Sequence, residues 1–186
     1  MTHDRNRILS ADSLETVLRN ADDIPWDTLE GAYGPSDAKD HYRDVPGMLV
    51  ALANVDDVDL GSWGDAYDDA FLAHIWHQYT IYPVTPLVIG FLTRIASLRL
   101  NTTIEPAKQI ALGLRLVAES TAVFRRHADA PNRELGEACA KSFTTHGDYI
   151  RTWLETPLKE DAFAIGGWIP EIGVEGTDKP AAGTKT

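Results

Sequence analysis

The sequence predicts an all-α protein of about six to eight helices sharing one core. Three observations predict it. Apolar residues recur at three- and four-residue steps through most of the 186 positions, the spacing that gathers them on one face of a helix. Apolar and polar residues never alternate for more than a few positions, as they would along a half-buried strand. The breaks between periodic stretches carry Pro, Gly, Asp and Asn, which cap or stop helices.

The elements follow in chain order. Leu14, Val17 and Leu18 mark a short helix after Ser10 or Ser13, and Trp26 and Leu29 mark another, opened by Pro25 and closed at Gly31 or Gly34. The polar stretch Pro35–Tyr42 reads as a loop. Met48, Leu49 and Leu52 place a helix over about Val45–Asn54. An acidic turn, Asp56-Asp57-Val58-Asp59, leads to a helix over roughly Trp63–His77, with Ala66, Tyr67, Ala70, Phe71, His74 and Ile75 at helical spacing. Gln78–Val84 is β-rich but short enough to be a connector. Thr85 caps the next helix, with Pro86 at its first position and an end near Leu98.

The second half is more regular. Thr102 and Glu105 stand at capping-box spacing. Ala107, Ile110, Ala111, Leu114, Val117, Ala118, Thr121 and Ala122 then form one stripe reaching about Arg126. Asp129-Ala130-Pro131-Asn132 breaks it. Leu135, Cys139, Ser142, His146, Tyr149, Ile150, Trp153 and Leu154 form the second stripe, stopped by Pro157. Two long helices joined by a short polar turn make an antiparallel hairpin. These signals predict a single helical domain over residues 1–165. They leave 166–186 as a partly mobile C-terminal segment, in which Gly166-Gly167-Trp168-Ile169-Pro170 folds back.

Composition narrows the setting. Cys139 is the one cysteine, so an intramolecular disulfide and a cysteine-rich zinc site are excluded and a reducing cytoplasm is expected. The longest apolar segment, about Val84–Leu100, is interrupted by Arg94 and Arg99 and is too short to span a bilayer. The net charge is −11, and residues 1–60 hold thirteen acidic against five basic side chains. Such a field repels phosphate backbones and attracts basic surfaces, so nucleic acid is not the expected partner.

Trp26, Leu29, Ala32-Tyr33-Gly34, Val45-Pro46, Leu49, His77-Gln78, Tyr82, Thr85 and Phe91-Leu92 occur in an order and spacing that resembles a group of bacterial HEAT-repeat-like proteins. The resemblance covers about Trp26–Ile95. It implies a curved α-solenoid of stacked antiparallel helix hairpins and a scaffold or binder, with no cofactor and no reaction; some members resemble immunity proteins that neutralise toxins of neighbouring bacteria. One departure stands out. Relatives usually have Gly after His-Gln, where this chain has Tyr79, so a different local turn is expected.

No catalytic constellation assembles from the sequence. His74 and His77, three apart with Asp68 and Asp69 nearby, share a helical face, but no complete metal-ligand set follows, and a buried, hydrogen-bonded structural pair is the favoured reading. Cys139 and His146 lie about 10 Å apart along one helix, too far for a nucleophilic pair. The acidic residues are the remaining signal. Asp56, Asp57, Asp59, Asp65, Asp68 and Asp69 fall within fourteen residues beside Trp63 and Tyr67. Part of that charge suits a helix N-terminus, and the rest suits a solvated face or an acidic rim with aromatic anchors for a basic protein. The expectation is a cytoplasmic immunity protein occluding a toxin through these eight residues. The alternative is a general adaptor with an endogenous partner.

Overall fold

The computed structural model describes residues 12–36, 39–40, 42–54, 66–100, 102 and 104–174. The fold is all-α with two minimal hairpins. Helix α1 spans Leu14–Asp22, followed by a 3₁₀ turn at Trp26–Thr28. Strands β1 (Glu30–Gly31) and β2 (Gly34–Pro35) pair antiparallel. Next come α2 (Val45–Asn54) and α3 (Ala66–Ile75), the latter π-helical, and a second antiparallel pair, β3 (Trp76–His77) and β4 (Thr80–Ile81). Helices α4 (Thr85–Arg99), α5 (Ile104–Phe124) and α6 (Ala130–Thr145) are the longest described. The described chain closes with α7 (Gly147–Thr152), a 3₁₀ turn at Trp153–Glu155, α8 (Lys159–Trp168) and a last 3₁₀ turn at Pro170–Ile172.

Helix α4 is the hub. Buried residues occupy nearly its whole circumference, from Thr85 through Val88, Phe91, Leu92, Ile95 and Ala96 to Arg99, as expected of a helix enclosed on all sides. It packs against α1, α2, α5, α6 and α7. Its inward hydroxyls do not stay unsatisfied. Thr93 donates to the Ile89 carbonyl (2.7 Å) and Ser97 to the Thr93 carbonyl (2.8 Å). Ser97 Oγ in turn accepts from the indole of Trp153 at 2.7 Å, which lets a fully buried tryptophan keep its polar handle bonded. At the edge of this core, Arg94 grips Asp12 through two bonds of 2.6 and 2.8 Å, and the Tyr149 hydroxyl adds a third at 2.8 Å. One carboxylate thus ties the start of the described chain to α4 and α7.

The regular half follows its pattern closely. Helix α5 buries Ala107, Ile110, Ala111, Leu114, Val117, Ala118, Thr121 and Ala122. Asp129 caps α6 by accepting from the Asn132 N–H, with Pro131 in the first turn. Thr102 departs from expectation: its hydroxyl donates back to the Arg99 carbonyl, closing α4, and Glu105 pairs with Lys108.

Four further expectations are corrected. The second long helix breaks at His146, whose ring Nδ1 and backbone N–H both point at the Ser142 carbonyl, at 3.0 and 3.1 Å. The regular backbone bond to Ser142 is still made, and the helix ends because His146 itself leaves helical geometry, at φ −101° and ψ 13°. Gly147 is buried, and a Cβ added there would stand 3.3 Å from both Arg151 and Ile172, close enough to crowd the packing. The expected helix at Trp26 is a single turn leading into the β1–β2 hairpin, and the expected connector after His77 is the β3–β4 hairpin. The packed body also extends past residue 165. Ile169, Ile172 and Val174 are buried, and Gly166 lies so close to Val174 that an added Cβ would stand 2.6 Å from its carbonyl oxygen. Residues 175–186 lie outside the described residues. Among the described residues no helix is long and apolar enough to cross a membrane.

Candidate functional site

The two hairpins sit against each other, and backbone bonds explain why. The last carbonyls of α3 are claimed from outside the helix: His74 O accepts from the Ala32 N–H (2.9 Å), and Ile75 O from the Thr85 hydroxyl (2.6 Å). Thr85 Oγ1 also accepts from the Tyr82 N–H, and Glu30 O accepts from the Val84 N–H. The segment Glu30–Ala32 is therefore laced on one side to the end of α3 and on the other to the start of α4. Ten residues of i→i+5 bonding is long for a geometry normally confined to single turns. Here that stretch ends where its carbonyls meet partners from β1 and α4.

The hairpin tips carry the two most exposed aromatics described. Tyr33, 53% exposed, meets His77 edge-on at 5.8 Å between ring centres. Tyr79, 64% exposed, meets Trp76 edge-on at 5.5 Å. The Trp76 indole donates to Ser120 of α5 at 2.8 Å, fixing the platform to the helical body. Burial pushes the Tyr82 hydroxyl up; a hydrogen bond with Thr80 opposes this and neighbouring Tyr33 reinforces it.

The β3–β4 tip is strained. Gln78 and Tyr79 have φ of 49° and 65°. Positive φ at both central residues of a two-residue loop is the mark of the hairpin turn that Asn and Gly usually make. The turn is the kind that suits glycine, and tyrosine occupies it. A left-handed conformation costs a non-glycine residue roughly 1–2 kcal/mol.

Beneath the hairpins lies His74, with no exposed surface. A Cβ on Gly31 would stand 2.2 Å from its ring, so only glycine fits the strand above it. His74 Nε2 faces the Ser36 hydroxyl at 3.5 Å, the outer limit of a hydrogen bond, and Nδ1 has no partner among the described residues. Burial lowers the affinity of this imidazole for a proton; Arg43 lowers it further and Asp40 works against both. Ser36 also borders a pocket of about 660 Å³ with Trp26, Lys39 and Arg43 in its wall. A serine nucleophile needs its histidine oriented by a third group on the other ring nitrogen, and here that nitrogen is the orphaned one. His77 is half-buried and contacts Tyr33 through its ring, so the two histidines have different roles and do not form one buried hydrogen-bonded pair.

The acidic-face residues are placed unevenly. Asp56, Asp57, Asp59, Trp63 and Asp65 lie outside the described residues, and so does the Asp69 side chain, although Asp69 belongs to α3. Asp68 is exposed. Tyr67 is corrected: it is 6% exposed and stacks edge-on against Phe71 at 5.6 Å, a core residue and not an interface anchor. Burial first, and Asp68 second, push its hydroxyl up to about 12. Cys139 is enclosed, its thiol pushed up to about 12 by burial against an opposing bond with Thr121, which leaves no thiolate near neutral pH. Among the described residues no group of three or more His, Cys, Asp or Glu could share a metal ion.

The hairpin platform was missed as a site, although its residues were visible. The sequence singles out Ala32-Tyr33-Gly34 and His77-Gln78, and the structure joins them through the Tyr33–His77 contact. No family model matches the chain, nor does any curated protein or solved structure.

Proposed function

We propose that this is a HEAT-like helical binding protein of the cytoplasm, an immunity protein that docks on a basic toxin domain and occludes it. The observation that carries the reading is Tyr79, an aromatic side chain 64% exposed on a backbone that favours glycine. Strain kept at an exposed position points to function more than to folding, and exposed tyrosines anchor protein interfaces. Charge gives the partner its sign. The chain carries −11 overall, and Asp56, Asp57, Asp59, Asp65, Asp68 and Asp69 supply a dense part of it, so a basic surface is attracted and steered. Packing of neighbours in sequence, α2 with α3, α4 with α5 and α5 with α6, is what helix hairpins require, around the shared hub α4.

Purification from the native host should yield one dominant co-eluting protein, basic and toxic when expressed alone. Its affinity should fall at least tenfold in the triple variant Asp65→Lys, Asp68→Lys, Asp69→Lys and should weaken as salt rises. A harmless endogenous partner would make the protein an adaptor. Equal binding by a folded triple variant would remove the acidic face from the reading.

A further inference from the structure

We infer that each of the two hairpin tips is an arginine-recognition point, with the rings of Tyr33 and Tyr79 each receiving a guanidinium group of the basic partner; this rests on the reading just given and sets the chemistry of two contacts within it. Three observations carry it. The two rings are the most exposed tyrosines described, at 53% and 64%. Each is held by an edge contact, Tyr33 on His77 and Tyr79 on Trp76. A perpendicular contact covers at most one face of a ring, and with more than half of each tyrosine exposed, face area stays open to another group. Trp76 is itself pinned to Ser120, so the platform is ordered before a partner arrives.

Charge selects what would lie on such faces. The segment before Tyr33 exposes Asp27 and Glu30, and the helix leading to Tyr79 exposes Asp68. These carboxylates, within a chain of net charge −11, favour a cation over a neutral sugar or a nucleobase attached to phosphate. Arg43, which bonds the first hairpin at the Pro35 carbonyl, is paired with Asp40. Between the two basic side chains, arginine is preferred. Its planar, weakly hydrated guanidinium stacks on an aromatic face and still donates from its edge, whereas an ammonium is compact and strongly hydrated. Gln78, exposed beside Tyr79, adds an amide able to accept such an edge donor.

The test uses the full chain with two labelled peptides of equal charge, nona-arginine and nona-lysine, titrated at low and at physiological salt. Nona-arginine should bind more tightly, with a preference of about three- to fivefold per engaged ring. Tyr79→Gly suits the left-handed backbone, so it keeps the hairpin while removing the ring; it and Tyr33→Ala should each reduce the preference, and together abolish it. Tyr79→Phe should retain it. Equal affinities for the two peptides in the wild type, or a preference unchanged in the double variant, overturns the inference while leaving a basic partner intact. Binding of neither peptide at low salt overturns both the inference and the basic-partner reading.

Discussion

Helices α5 and α6 each bury one stripe and satisfy most of their backbone within their own turns. The hairpin region, residues 26–36 together with 66–85, does neither. Its strands are two residues long, its helix is π-helical, and its backbone groups find partners far along the chain, Ala32 with His74 and Glu30 with Val84. The comparison separates two ways of specifying structure. In α5–α6 the pattern is local, so each turn repeats the instruction of the one before. In the hairpin region it is tertiary, and each bond exists only once the rest has formed. Regular packing tolerates little at its surface but needs nothing there. The tertiary arrangement instead holds side chains such as Tyr33 and Tyr79 at fixed exposed positions.

The largest expected effect tests whether the irregular region is as much part of the core as the regular one. Phe71 of α3 and Phe143 of α6 are both fully buried, and Phe71 rests where a Cβ on Gly113 of α5 would stand 2.2 Å from its ring. Replacing either by alanine should cost about 3–5 kcal/mol. Denaturant unfolding should remain a single transition in both variants. If Phe71→Ala costs less than 1 kcal/mol while Phe143→Ala costs the full amount, the hairpin region is an appendage and the comparison fails.

What was legible follows the same division. The stripe from Ala107 to Ala122 and the start of α6 at Asp129 were readable because helical periodicity is local. The break at His146 was not, because it lies where Ile172, far along the chain, packs beside Gly147. The hairpins were hidden by their shortness: two-residue strands leave no alternation to detect. Tyr67 was misplaced because an aromatic beside acids reads as a rim residue until its contact with Phe71 is known. Ile169, Ile172 and Val174 are too few and irregular to show periodicity, so their burial was underestimated.

A middle-sized effect concerns His74, where the tertiary design is most exposed to pH. Its folded proton affinity lies below the ordinary value of 6.5. The neutral form is therefore favoured by folding, and the stability linked to it is present above about pH 6.5. It declines as pH falls from there toward the folded value, because the unfolded chain then binds a proton that the folded chain resists. Wild type should lose more stability between pH 7 and pH 5 than His74→Gln does. Parallel curves would show that His74 is not the titrating group. Gly31→Ala, forcing a Cβ against the same ring, should cost about 1–3 kcal/mol at any pH.

The smallest effect sharpens the comparison most, because it isolates backbone from side chain at the tip. Tyr79→Gly relieves the left-handed conformation but loses the edge contact with Trp76 and gives the unfolded chain more freedom, so its net change should lie near zero. Tyr79→Ala loses the same ring and keeps the strain. The informative quantity is the difference between the two variants: glycine should be the more stable by about 1 kcal/mol, the reverse of the order in a helix or strand interior. Thermal and denaturant unfolding of both proteins measures it directly. If alanine proves equal or better, the tip does not hold Tyr79 at φ 65°, and strain ceases to be an argument for function there. If glycine is better than alanine and also loses the arginine preference, the backbone at the tip favours glycine while recognition needs the ring. Tyrosine at a glycine position is then retained for what its exposed ring binds.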